Sequence, residues 1–501
     1  MPSKSSPNRI TFTEVDEVNH PTATYIYSAD GQNGRVDIVL PPHTSQTWSL
    51  RAIKTLLIEV FLPAGYPHSV TDDYTAYQIF DSLQAFSSSI AGLLSSRAVL
   101  QGVGVGNPNA SPTSALLLHI LQDTSGRLAT ILFAHRVGTA LQPECKSYRL
   151  AADLFNDLAM LLDCLSPAAP AGAPRVAVLS AAGVLRALCG VAGGSSKASL
   201  SAHFAKGGNI AEVNAETIIS LLGMLAGSLV VAYVTSSTAT WLALLALLTL
   251  HLALNYAAVR AVQMTSLNRQ RANIVFATLL DADPALRALA LAPHVSGPAD
   301  SRGVLSPAQV AAREAIFERD GVLRWSSAAA AGTAPVLGVC RIGVSVGEFL
   351  RWLGGAGRAG VPLDRLQELF RAEAYLLFLR GGNAAILLKR GCTPRAQLKA
   401  WMHALLAARV LGETREGRDE ETERVVGVVD ATLRFLNQTR VDGYLDALTR
   451  AGWDVELAAL ETSDATDGRP NAGQANSMTI FFKTIRNAGS LAGAGGPERR
   501  L

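Results

Sequence analysis

At 501 residues the chain can hold two or three domains and a substantial buried core. Its 44 basic and 41 acidic residues leave a net charge of +3, too weak a field to gather nucleic acid, and no nucleic-acid partner is expected. Hydrophobic residues make up 49% and the mean hydropathy is +0.22, values that suit membrane segments with soluble parts beside them. The five cysteines (Cys145, Cys164, Cys189, Cys340, Cys392) show neither C-x-x-C spacing nor histidines at zinc-site intervals, so free thiols and no metal site are expected.

MPSKSSPNRITFTEVDEVNH has no apolar run and carries Glu14, Asp16 and Glu17, which argues against a secretory signal or an organellar presequence. ATYIYSAD and GRVDIVLP alternate apolar and polar residues around GQNG and read as a hairpin within a soluble segment, residues 1–54. Pro63, Gly65 and Pro67 break the chain before a helix that starts after Asp72 and Asp73. GVGVGNPNASP (Gly102 to Pro112) lacks the Lys-Ser/Thr of a phosphate loop and reads as an interhelical turn. Helices follow over roughly 113–135, 148–164 and 173–192. In the first, Asp123 and Arg127 pair at i,i+4; in the second, Arg149, Asp153 and Asp157 share one face; Arg186 interrupts the third.

Thr217 to Val259 spans 43 residues without Asp, Glu, Lys or Arg. Composition alone would place about seven charges there. TIISLLGMLAGSLVVAYV and WLALLALLTLHLALNYAAV flank the polar turn TSSTAT and read as a transmembrane hairpin. Gly223 and Gly227 form a G-x-x-x-G that serves packing within the chain, and His251 and Asn255 share a face suited to interhelical hydrogen bonds. Charge returns with Arg260, Arg269 and Arg271, where the membrane part ends.

A linker is expected over 279–335, then a small α+β domain over 336–460 and a flexible tail over 461–501. Within that domain GVCRIGVSV reads as a strand, AYLLFLRGGNAAILLK as a hairpin turning at GGN, and WDVELAAL as a strand. LDRLQELFRAE, TPRAQLKAWMHALLAARVL and VVGVVDATLRFLNQ read as helices, and GETREGRDEETER as a charged loop. The fold class expected is mainly α: a polytopic bundle of five or six helices, then the α+β domain.

With six helices (76–98, 113–135, 148–164, 173–192, 216–234, 240–260), one side of the membrane collects Arg51, Lys54, Arg136, Lys146, Arg149, Lys197, Lys206, Arg260, Arg269 and Arg271. The other holds Arg97 and Arg175. The positive-inside rule then places both termini in the cytoplasm, and leaves the organelle open.

Five blocks carry a family likeness: LPAGYPHSVTDDYTAYQIFDSLQAF, LQDTSGRLATILFA, YRLAADLFNDLAMLLDCLSP, LCGVAGGSSKASLSAHFAKGGNIAEVNAE and NYAAVRAVQMTSLNRQRANIVF. In this order they resemble the Root UVB sensitive family over residues 55–278, and more loosely to about 460. The resemblance implies an integral membrane protein without established catalytic activity. It also implies a link to ultraviolet-B responses and vitamin B6 homeostasis.

Two groups of residues are candidate sites. Asp123, Arg127, Asp153, Asn156, Asp157 and Arg186 are expected to converge in the bundle interior, to line a solute site or to neutralise one another. Lys197, His203 and Lys206, in GGSSKASLSAHFAKGGN, would form an anion-binding loop for a B6 vitamer phosphate, or a plain basic loop. No catalytic residue or cofactor is assigned, since no nucleophile–base pair or cofactor fingerprint assembles from spacing. The functions carried forward are binding or transport of a small polar solute, a membrane scaffold acting through the α+β domain, and, last, a membrane-embedded enzyme. The lipid bilayer and a homo-oligomer or another family member are the expected partners.

Overall fold

The computed structural model describes residues 9–15, 21–28, 35–39, 62–63, 66–102, 104–105, 112–137, 141–206, 215–283, 303–326, 334–354, 363–413, 421–438, 441–457 and 459–460. The expected GQNG turn, most of the glycine-rich 102–112 turn, residues 284–302 and 327–333 of the expected linker, the core of the charged loop and the 461–501 tail lie outside them.

An antiparallel sheet comes first, in the order β1 (Arg9–Val15), β2 (Pro21–Ser28), β3 (Arg35–Val39). β2 and β3 are the expected hairpin, with Thr24 opposite Val39 and Ser28 opposite Arg35. RITFTEV, read only as an absent signal, supplies the additional strand β1.

Helices follow: α1 (Tyr74–Gly102), α2 (Pro112–Val137), α3 (Cys145–Leu165), α4 (Ala173–Phe204), α5 (Ala215–Tyr233) and α6 (Ser237–Ala261). Each lies where a helix was expected, but α4 runs on through GGSSKASLSAHF instead of ending near 192. Its serines bond back within the helix, Ser196 to Ala192 O at 2.7 Å and Ser199 to Ser195 O at 3.1 Å, so they need no turn to satisfy them. Arg97 and Lys197, counted as loop charges, therefore lie inside α1 and α4.

The chain divides into two compact units, residues 1–93 with 201–251 and residues 94–200 with 252–501. In the first, α5 closes on α1 through its glycines. A Cβ on Gly223 would stand 2.8 Å from Phe86 O, and one on Gly227 2.8 Å from Leu93 Cδ1. The G-x-x-x-G is thus an internal packing device. In the second unit Gly126 of α2 and Gly183 of α4 permit a similar approach, and Gln122 Nε2 donates to Leu179 O at 2.9 Å. Ala151, Phe155 and Ala159 of α3 pack on Ala182, Leu185 and Leu188 of α4.

The second unit also holds the α+β fold: α7 (Arg269–Ala282), α8 (Pro307–Arg313), β4 (Val322–Arg324), β5 (Val336–Ile342), α9 (Val346–Leu353), α10 (Leu363–Leu369), β6 (Tyr375–Arg380), β7 (Asn383–Leu388), α11 (Pro394–Glu413), α12 (Glu421–Gln438) and α13 (Val441–Arg450). The sheet order is β4-β5-β7-β6, with β5 and β7 parallel and the other pairs antiparallel. The expected hairpin turns at Gly381 and Gly382, whose φ of 56° and 80° suit glycine.

Three expectations are corrected here. The family likeness over 55–278 runs on from the apolar helices into α7, yet Ala272, Ile274, Val275, Phe276 and Leu280 belong to the α+β core. The 279–335 segment is not all linker: α8 and β4 fold into that core, and Asn273 joins α7 to both β4 (Val322 O, 2.7 Å) and Trp401 of α11 (2.9 Å). WDVELAAL does not extend into a strand: Asp454 makes an isolated parallel bridge to Ser266, its N donating to Thr265 O at 3.0 Å, and Trp453 Nε1 donates to Leu305 O at 2.7 Å. Its alternation reflects burial of Trp453 and Val455 on either side of a single bridge that does not propagate into a ladder.

Candidate functional site

α3 carries the polar core of the second unit. Its sequence places apolar residues on one flank, against α4, and Arg149, Asp153 and Asp157 one turn apart on another. Pro167, just past Ser166, stops the helix. All three charged residues are buried, at 6%, 7% and 3% exposure. Asn255 of α6 donates its amide to Asp153 and reaches Arg149 O at 3.5 Å. Asn156 lies beside them, half-buried.

Arg186 does not join this group. It pairs with Asp163, ten residues and about 15 Å further along α3. Asp163 is fully buried and also accepts from Ser95 of α1 at 2.8 Å. Asp123 and Arg127 stay outside as well: they bond to each other at 2.9 Å on an exposed face of α2. The expected single cluster is therefore three separate groups, because i,i+4 spacing fixes neighbours along one helix and says nothing of partners between helices. Asp163 went unnoticed because it lies off the Asp153 face, and Asn255 was placed by spacing without its partner.

The expected anion loop is also corrected. Lys197 is exposed on the continuing helix α4. His203 Nε2 lies 3.0 Å from Asp73 Oδ2, both side chains buried, and Lys206 Nζ lies 3.5 Å from Asp72. His203 and Lys206 thus face carboxylates of the TDDY stretch, bound there by Thr71 N to Phe204 O and Lys206 N to Ser69 O at 3.0 and 2.9 Å.

At the start of α3 a second buried network lies outside the apolar spans. Glu314 receives Lys146 and, at 3.0 Å, Arg271 Nε. Burial alone would raise the Glu314 pKa, but the two cations outweigh it and hold the carboxylate ionised, below its usual range. Arg269 pairs with Asp320, and Arg260 caps the carbonyls of Ala312 and Glu314. These arginines, expected as positive-inside charges, are tied into the fold. Glu144 accepts from Asn268 at 3.1 Å, and burial pushes its pKa up to about 7 against the pull of Arg271.

These features define a mainly helical protein with ionisable groups buried between its helices and an α+β domain in the C-terminal half. Residues 47–283 match the family profile described as a vitamin B6 photo-protection and homoeostasis domain, and residues 361–464 match that of the Root UVB sensitive protein C-terminal region. Protein root UVB sensitive 3 of Arabidopsis thaliana is 31% identical over 366 residues, covering 71% of this chain and 76% of its own. RUS family member 1 of Dictyostelium discoideum is 43% identical over 230 residues, 44% of this chain and 43% of that relative. Protein root UVB sensitive 2, chloroplastic, of Arabidopsis thaliana is 28% identical over 278 residues, 54% of this chain and 60% of its own. The chain belongs to the Root UVB sensitive family. No solved structure matches it.

Proposed function

We propose that this chain is a multi-pass membrane protein that binds a small polar solute along the buried polar face of α3, with a B6 vitamer as the first candidate. Support for the membrane comes from α4 and α6, which are long and apolar enough to cross a bilayer, with Ile219–Tyr233 a shorter apolar helix. Leu221, Leu225 and Leu229 of α5 and Leu242 and Leu245 of α6 point outward, as lipid-facing side chains do. The α+β domain and both termini would face the cytoplasm.

One observation carries the solute reading: Arg149, Asp153 and Asp157 form a buried polar row on one helix face, with Asn255 facing it. Groups of this kind between membrane helices mark solute pathways or proton relays. The vitamer comes from the matched family description and from the positive charge of Arg149, which suits a phosphate or phenolate. The test is thermal unfolding of the detergent-purified full chain with pyridoxal 5′-phosphate, pyridoxal, pyridoxine and unrelated phosphorylated metabolites. A vitamer-selective rise in Tm that disappears in Asp153→Asn supports the reading. No rise at millimolar vitamer contradicts it.

A further inference from the structure

The Asp123–Arg127 pair that the polar core leaves out lies at the middle of α2, which runs Pro112–Val137. α2 meets the rest of its unit through a narrow stripe that includes Gln122 and Gly126. A face that begins about a quarter-turn round the helix from that stripe presents Leu116, Ile120, Asp123, Arg127 and Ile131, each more than half exposed. Their spacing of three and four residues is that of a helix-pairing seam. The two charged side chains keep 54% and 78% of their surface exposed, while the leucines and isoleucines before and after them are about half exposed or more.

This face suits neither solvent nor lipid. Water would meet exposed apolar side chains on both sides of the ion pair, and lipid would meet two charges at the centre of a helix. A second copy satisfies both demands. One acid and one base, a helical turn apart, are self-complementary under a two-fold axis: Asp123 of each copy meets Arg127 of the other, and the apolar positions on either side close around them.

We propose that α2 is a homodimer interface built on reciprocal Asp123–Arg127 pairs. The proposal does not depend on the solute reading. It is tested by light scattering of the detergent-purified full chain after size exclusion. Wild type is expected to be a dimer. Asp123→Arg places two pairs of arginines face to face, Arg127→Asp two pairs of aspartates, and each variant alone is expected to dissociate with at least a tenfold weaker dimer. Differently tagged Asp123→Arg and Arg127→Asp chains, co-expressed, are expected to co-purify as a heterodimer, which also shows that each variant is folded. A monomeric wild type, single variants that remain dimeric, or charge-reversed chains that fail to pair with each other would each overturn the proposal.

Discussion

Glu314 is the side chain on which two buried cations outside the apolar helices depend. It neutralises both Lys146 and Arg271, whose side chains are 6% and 2% exposed. Glu314→Gln leaves two buried cations facing a neutral amide, and a loss of roughly 3–5 kcal/mol in unfolding free energy is expected by chemical denaturation. Two other buried groups titrate in opposite senses. His403 is held near pKa 3 by burial, between Tyr375 OH at 3.1 Å and Thr432 Oγ1 at 3.0 Å. Its folded pKa lies below the unfolded 6.5, so between those values only the unfolded chain takes up the proton, and stability falls as pH drops below about 6.5. Glu144 is raised to about 7, so its contribution is complete below about 4.5 and is lost as pH rises through 7. Glu144→Gln is expected to remove the fall in Tm that Glu144 contributes as pH rises from about 4.5 to 7, while leaving the His403 fall on acidification intact, read from Tm against pH between 4 and 9. Curves for the two proteins that run parallel between about pH 4.5 and 7 would refute that assignment.

At the scale of elements, glycines decide which helices touch. Gly223→Leu drives a side chain into Phe86 O and Ser89 Cβ, both 2.8 Å from the Cβ position. Overpacking of this kind costs about 1–3 kcal/mol, a fall of several degrees in Tm, whereas Gly190→Leu, with open space around it, is expected to be tolerated. The helices themselves were legible in the sequence because uninterrupted apolar runs bounded by proline, glycine and aspartate leave few alternatives. The length of α4 was not, because glycine and serine signal a turn only when no neighbouring helix fixes them; Gly193 places α4 against Ala152 of α3. The β6–β7 hairpin was legible from GGN, whereas β4, three residues long, carries no periodicity of its own.

Across the whole molecule, family and helix content follow from local pattern, while the sites depend on contacts distant in sequence. Arg149, Asp153 and Asp157 were found because helical spacing alone puts them on one face. Asp163–Arg186 and Lys146–Glu314 were missed because their partners are 23 and 168 residues apart. A solute site further requires the buried row on α3 to be reachable by water. The most direct measurement is the reaction of a membrane-impermeant, hydrophilic thiol reagent with Asn156→Cys in intact membranes, in a chain whose five native cysteines are replaced by serine. Leu225→Cys, 58% exposed on the apolar face of α5, serves as the lipid-facing reference. Labelling of Asn156→Cys that pyridoxal 5′-phosphate slows, with Leu225→Cys unreactive, is the result expected. An Asn156→Cys thiol as unreactive as the reference, with or without vitamer, would make the buried charges of α3 a packing device and contradict the solute site.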